Sequence, residues 1–170
     1  AGVNSAVGTG PGPWIVDYNT AGPKVVRLFV FDGGCSSDTN SVVLTVNPVP
    51  TSTFLLPDTV CEDQFNQVIY TGSATQSASY TWDVGNAVPS TLSGSGPHNL
   101  SWSNPGFQQV SLTVEENGCE GPTTTRTTLV LPTPDNSFAV DDSICAGELM
   151  QITYTGSNGP NASYSWNFGG

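Results

Sequence analysis

Two cysteine positions recur at a fixed distance: Cys35 and Cys119 stand 84 residues apart, and so do Cys61 and Cys145. Four cysteines without a C-x-x-C pair, and one histidine, do not suit zinc, which takes closely spaced N and S ligands. An even cysteine count in a small unit points instead to disulfides and an oxidising compartment. Three states are open: a bridge within one unit, Cys61 to Cys119; a staple between neighbouring units; or free thiols. The other groups able to do chemistry are sparse. His98 sits in "GSGPHN" with no second ligand or nucleophile, and reads as a solvated loop residue. Asp83 is replaced by Asn167 one period later, so it is expected to bond the following turn rather than to act as a catalytic carboxylate. Glu62-Asp63 and Asp141-Asp142 offer oxygens to calcium, but they fall at different phases and lack the ligand count of a calcium loop. No nucleophile–base pair or metal cluster emerges, so neither catalysis nor a cofactor is expected.

The 84-residue offset also carries Phe54 to Phe138, Trp82 to Trp166, and "YTGS" at 70–73 to "YTGS" at 154–157. In the other direction it relates "VSLTV" at 110–114 to "VRLFV" at 26–30. Such self-similarity is the signature of a repeat. It divides the chain into the second half of one unit at 1–50, a whole unit at 51–132, and the first half of another at 133–170. The 170 residues exceed two periods by two, so the expectation is a window on a longer array or filament. Each broken half would be completed by a continuation or by another chain, because isolated edge strands are avoided.

Elements that position these residues follow from composition and alternation. Only 10% of residues are charged, and Gly and Pro are abundant, which favours short strands and turns over helices. In "ASYTWDV", Ala78, Tyr80, Trp82 and Val84 alternate with polar residues, the period of a strand with one buried face. Tyr164 and Trp166 repeat the pattern, and Val110 and Leu112 supply the inner face of a later strand. The stretch "TTTRTTLVL" has no clear register and reads as an edge strand. Several short antiparallel strands around a buried Trp predict an all-β, immunoglobulin-like sandwich in tandem. The net charge of −11 repels nucleic acid and anionic lipid, and no apolar run is long enough for membrane insertion.

"YTWDVGN", followed by "LSWSNPGFQQVSLTV" and "NGC", resembles the PKD domain, whose pattern runs W-D-F-G-D-G and then H-x-Y-x-N-P-G-x-Y-x-V-x-L-x-V. The family's histidine position is Leu100 here and its corner tyrosine is Gln108, marking a divergent PKD-like branch. The resemblance implies tandem domains of a large bacterial cell-surface adhesin: an extracellular stalk or filament whose partners are neighbouring repeats or identical chains. A surface glycan or host ligand would be bound by a tip elsewhere. In that topology Cys61 and Cys119 fall at opposite ends of a strand spanning roughly 26 Å, against about 7 Å for bridged Cα atoms. If that topology holds, such a bridge cannot close, and the alternative is a staple from the first-turn cysteine of one repeat to the last-hairpin cysteine of the next; the bridge within one unit, Cys61 to Cys119, stays the leading expectation. "DTV" and "DSI" resemble the bacterial Asp-Ser/Thr-aliphatic O-glycosylation acceptor, which makes Thr59 and Ser143 candidate sugar carriers. The competing reading is a glycan-binding accessory module of a secreted hydrolase, stacking sugars on Trp14, Trp102, Phe29 or Phe31, although Trp102, which shares its phase with Tyr18, is more easily read as core or corner packing.

Overall fold

The computed structural model describes residues 8–169, and among these every regular element is a β-strand. The middle of the chain forms the packed body. Its strands are β5 (Phe54–Leu55), β6 (Thr59–Cys61), β7 (Asn66–Tyr70), β8 (Ser79–Asp83), β9 (His98–Leu100), β10 (Gly106–Glu116), β11 (Cys119–Glu120) and β12 (Thr124–Leu131). Strands β5, β7 and β9 make one antiparallel sheet. The other sheet centres on β10, which pairs with β8 on one side (Leu112↔Trp82) and β12 on the other (Gly106↔Val130). β6 adds to the far side of β12 in parallel, Val130↔Val60. One core fills the space between the sheets, with Phe54, Val68 and Leu100 from the first and Val110, Leu112 and Val114 from the second. The two-residue side-chain period of β10 explains this directly: alternate residues face inward and carry the apolar groups.

Two expectations need correction. The segment 124–131 is not an edge, because β12 is hydrogen-bonded on both sides. Its inward positions include Thr128, a polar type that hid the buried face from a reading based on hydrophobic alternation. The most deeply enclosed indole is Trp102, only 1% exposed, whereas Trp82 is partly buried and packs against the core. Trp102 follows β9 and points inward where the chain leaves its sheet, while Trp82 lies on β8, at the border of the other sheet beside β10.

The Thr128 hydroxyl is buried without a hydrogen-bond partner, so it keeps the desolvation cost of a polar group and gains nothing in return. Thr128→Val preserves shape and removes that cost. The substitution is expected to raise the unfolding free energy by about 1 kcal/mol, read from urea denaturation.

On either side lie smaller pieces. Before the body, β1 (Gly22–Leu28) pairs antiparallel with β4 (Asn40–Val46), and β2 (Phe31–Asp32) with β3 (Cys35–Ser36). After it, β13 (Phe138–Ala139) pairs with β14 (Thr153–Tyr154). Neither piece contributes a residue to the buried core.

Candidate functional site

Three ladders close the body by joining its early strands to its late ones: β7 with β9, β8 with β10, and β6 with β12. Phe54 and Trp82 meet edge to face at 5.2 Å on the early half, and Tyr70 and Tyr80 at 5.1 Å. The Tyr70 hydroxyl donates to the Thr51 carbonyl at 2.8 Å and accepts from the Ala74 amide at 2.8 Å, which fastens the turn after β7. The late half then covers these rings, and Val110, Leu112 and Val114 become fully buried.

The segment around β13 and β14 builds the same early-half constellation. Phe138 meets Trp166 edge to face at 5.4 Å, and Tyr154 meets Tyr164 at 4.9 Å. The Tyr154 hydroxyl donates to the Asp135 carbonyl at 2.9 Å and accepts from the Asn158 amide at 3.2 Å. Among the described residues nothing closes over it. Tyr164 is 50% and Trp166 40% exposed, although both were expected in a core. The physical reason is geometric: none of the described strands lies across them as β10 lies across Tyr80 and Trp82. The β1–β4 segment carries the opposite deficiency. Val26, Leu28 and Val30 occupy the register of buried Val110, Leu112 and Val114, yet all three are exposed. Among the described residues two apolar faces are thus exposed, one of early type and one of late type.

Cys35, Cys61 and Cys119 sit at strand ends, Cys145 lies outside the regular strands, and all four are free thiols here. Cys61 ends β6, where it pairs with Leu131, the last residue of β12. Cys119 begins β11 in the hairpin that precedes the first residue of β12. The length of β12 thus separates them by roughly 23 Å, beyond the reach of a disulfide. Cys119 instead points out of the body toward the preceding segment, its Sγ 3.9 Å from the Asn47 carbonyl oxygen. Asn47 Nδ2 also donates to the Asn117 carbonyl at 3.1 Å. Glu62 makes the equivalent link at the other end, its Oε2 accepting from the Thr133 amide at 3.0 Å. No local sequence signal announces these junction contacts, because they join residues about 70 positions apart.

His98 is the first residue of β9 rather than a solvated loop residue; its ring packs edge to face on Trp82 at 5.5 Å. Trp82 Nε1 donates to the Gly94 carbonyl at 3.0 Å, so both rings brace one turn. Asp83 Oδ1 accepts from the Gly85 amide at 3.0 Å, a turn-forming bond. Thr59 and Ser143 are exposed, Thr59 on β6 and Ser143 outside the regular strands. Among the described residues no three His, Cys, Asp or Glu side chains gather as a metal group would require, and no helix is long and apolar enough to cross a membrane. Of the aromatics weighed as sugar platforms, Trp102 is sealed in the core, while Trp14, Phe29 and Phe31 are exposed.

Two carboxylates, Glu116 and Asp135, are held below their ordinary range by hydrogen bonds, Asp135 by the Ser137 hydroxyl and amide. The hydroxyl and the amide of Thr75 both donate to Glu116, which holds its carboxyl below the ordinary glutamate range. A depressed folded-state pKa means stability that is present above the unfolded value and lost as pH falls through the folded one. The loss therefore begins near pH 4 and continues below it. Glu116→Gln is expected to flatten the fall in melting temperature over that acid window and to leave the neutral-pH slope unchanged.

No protein-family model and no curated protein sequence matches this chain.

Proposed function

We propose that the chain is a structural segment of tandem, immunoglobulin-like, PKD-like sandwiches in an extracellular bacterial adhesin stalk or filament, without catalysis of its own. The observation that carries this reading is the recurrence of pairing registers at the 84-residue offset. Phe54↔Tyr70 recurs as Phe138↔Tyr154, Gly106↔Val130 as Gly22↔Val46, and Glu116↔Cys119 as Asp32↔Cys35. The tyrosine-centred hydrogen bonds repeat at the same offset. Repeats of this kind contact mainly their neighbours and give length and stiffness. The junction bonds of Asn47 with Asn117 and of Glu62 with Thr133 supply that stiffness here. A charged-residue share of only 10%, a net charge of −11, and exposed Thr59 and Ser143 as sugar carriers suit a hydrated surface structure.

An antibody raised against residues 51–132 tests the reading on cells. Labelling of extended structures on intact cells is the expected result. Labelling that appears only after permeabilisation would contradict it.

A further inference from the structure

The outer face of the β5–β7–β9 sheet, on the closed middle body, carries side chains that the fold leaves unused. Val68 of β7 enters the core, so by alternation Phe65, Gln67 and Ile69 project the other way. Leu55 stands opposite Ile69, Asn99 stands opposite Gln67, and Val88 bridges to Ser101 just past Asn99. All six of these side chains are exposed, Phe65 by 66%. Apolar groups gathered on one open face mark an interaction surface. The fold does not require them, because one period later Phe65, Leu55 and Ile69 are replaced by Leu149, Ala139 and Thr153. The junction bonds run through Asn117 and Glu62, and neither touches this face.

The polar groups here differ from those on the other sheet. There, the outward hydroxyls satisfy one another, Ser111 with Thr125 at 3.0 Å and Thr113 with Thr123 at 2.7 Å. The amides of Gln67 and Asn99 make no side-chain bond among the described residues. Directly opposite on paired strands, their Cβ atoms lie about 5 Å apart. Phe65 stands two residues along the strand, about 7 Å from Gln67. None of the six side chains is charged, in a chain with 14 acidic residues, so the face offers nothing to a charged partner and suits a neutral one.

We infer that this face binds a neutral, β-linked oligosaccharide, with Phe65 as the stacking ring beside the paired amides of Gln67 and Asn99. A pyranose with equatorial hydroxyls has an apolar face of C–H bonds and a polar rim. Its C–H face lies on the electron-rich face of the Phe65 ring. The two amides, each both donor and acceptor, take the rim hydroxyls. Leu55, Ile69 and Val88 extend the apolar contact along the flat sheet, which fits several linked sugars better than one. Binding then occurs on the repeat itself rather than only at a distant tip, which goes beyond the stalk reading and does not depend on it.

NMR titration of the 170-residue chain with cellohexaose, with N-acetylchitohexaose, and with an oligogalacturonate of equal length tests the inference. At least one neutral oligomer is expected to shift amides in 55–57, 65–69 and 99–101, and the anionic one to shift none of them. Phe65→Ala should raise the Kd about tenfold, as loss of a stacked ring does. Gln67→Ala should raise it about fivefold. Both positions are exposed, so the rest of the spectrum should stay as in the parent. Phe107→Ala removes an exposed ring from the other sheet and should leave the Kd unchanged. No shift on this face with either neutral oligomer at millimolar concentration, an equal response to oligogalacturonate, or shifts confined to Trp14, Phe29 and Phe31 would overturn the inference. Self-association of the ligand-free chain that Phe65→Ala abolishes would assign the face to a second copy and overturn it equally. Surface labelling of cells is untouched by these outcomes, so the stalk reading stands or falls separately.

Discussion

Phe54→Ala is expected to lower the unfolding free energy of the middle body by about 3–5 kcal/mol, the usual cost of emptying a large aromatic site in a core. Phe54 is 0% exposed and braces Trp82 edge to face. Removing it leaves a cavity whose lining, drawn from both sheets, cannot collapse without breaking strand pairing. Phe138 has the same residue type, the same offset position and the same aromatic neighbour, yet it is 55% exposed. Phe138→Ala should therefore cost the dilute chain less than about 1 kcal/mol. Urea denaturation at low protein concentration, followed by hydrogen exchange of amides in residues 106–131, reads both values. Equal losses for the two variants would mean that burial is not what distinguishes them.

The second large effect concerns backbone space. Gly72 follows β7 where the chain turns back, and a Cβ there would collide with the Thr51 carbonyl oxygen and the Tyr70 hydroxyl. Neither can retreat, because the hydroxyl is already bonded to Thr51 on one side and Ala74 on the other. Gly72→Ala must either displace that turn or break both bonds, at a cost of about 3 kcal/mol. Gly159 meets nothing within 4 Å, so Gly159→Ala serves as the control and is expected to be nearly neutral. Thermal denaturation of the two variants against the parent decides the matter.

How far the sequence carries depends on which interactions are local. Alternation over 78–84 and 110–114 marks strands and names their inward residues, because period two follows from backbone geometry alone; Tyr80, Val84, Val110, Leu112 and Val114 are indeed buried. The position of β12 inside its sheet was not legible, since the parallel partner that covers it, β6, is three residues that read as a turn. The shared phase of Trp102 and Tyr18 favours core packing for Trp102, which is buried, but its rank above Trp82 depends on the packing of both sheets, not on a strand's own pattern. Val26 and Val110 read alike in sequence and differ wholly in exposure, because burial belongs to a pair of surfaces rather than to a residue. The junction contact of Cys119 with Asn47 lies furthest from local inference, although the 84-residue spacing of the cysteines pointed to a structural purpose.

Hydrogen exchange of the 170-residue chain tests most directly that the middle body is closed and its two flanking segments are open. Peptides covering 106–131 should be strongly protected, while those covering 22–46 and 150–168 exchange quickly. Protection of the flanking peptides equal to that of the middle body would contradict the account.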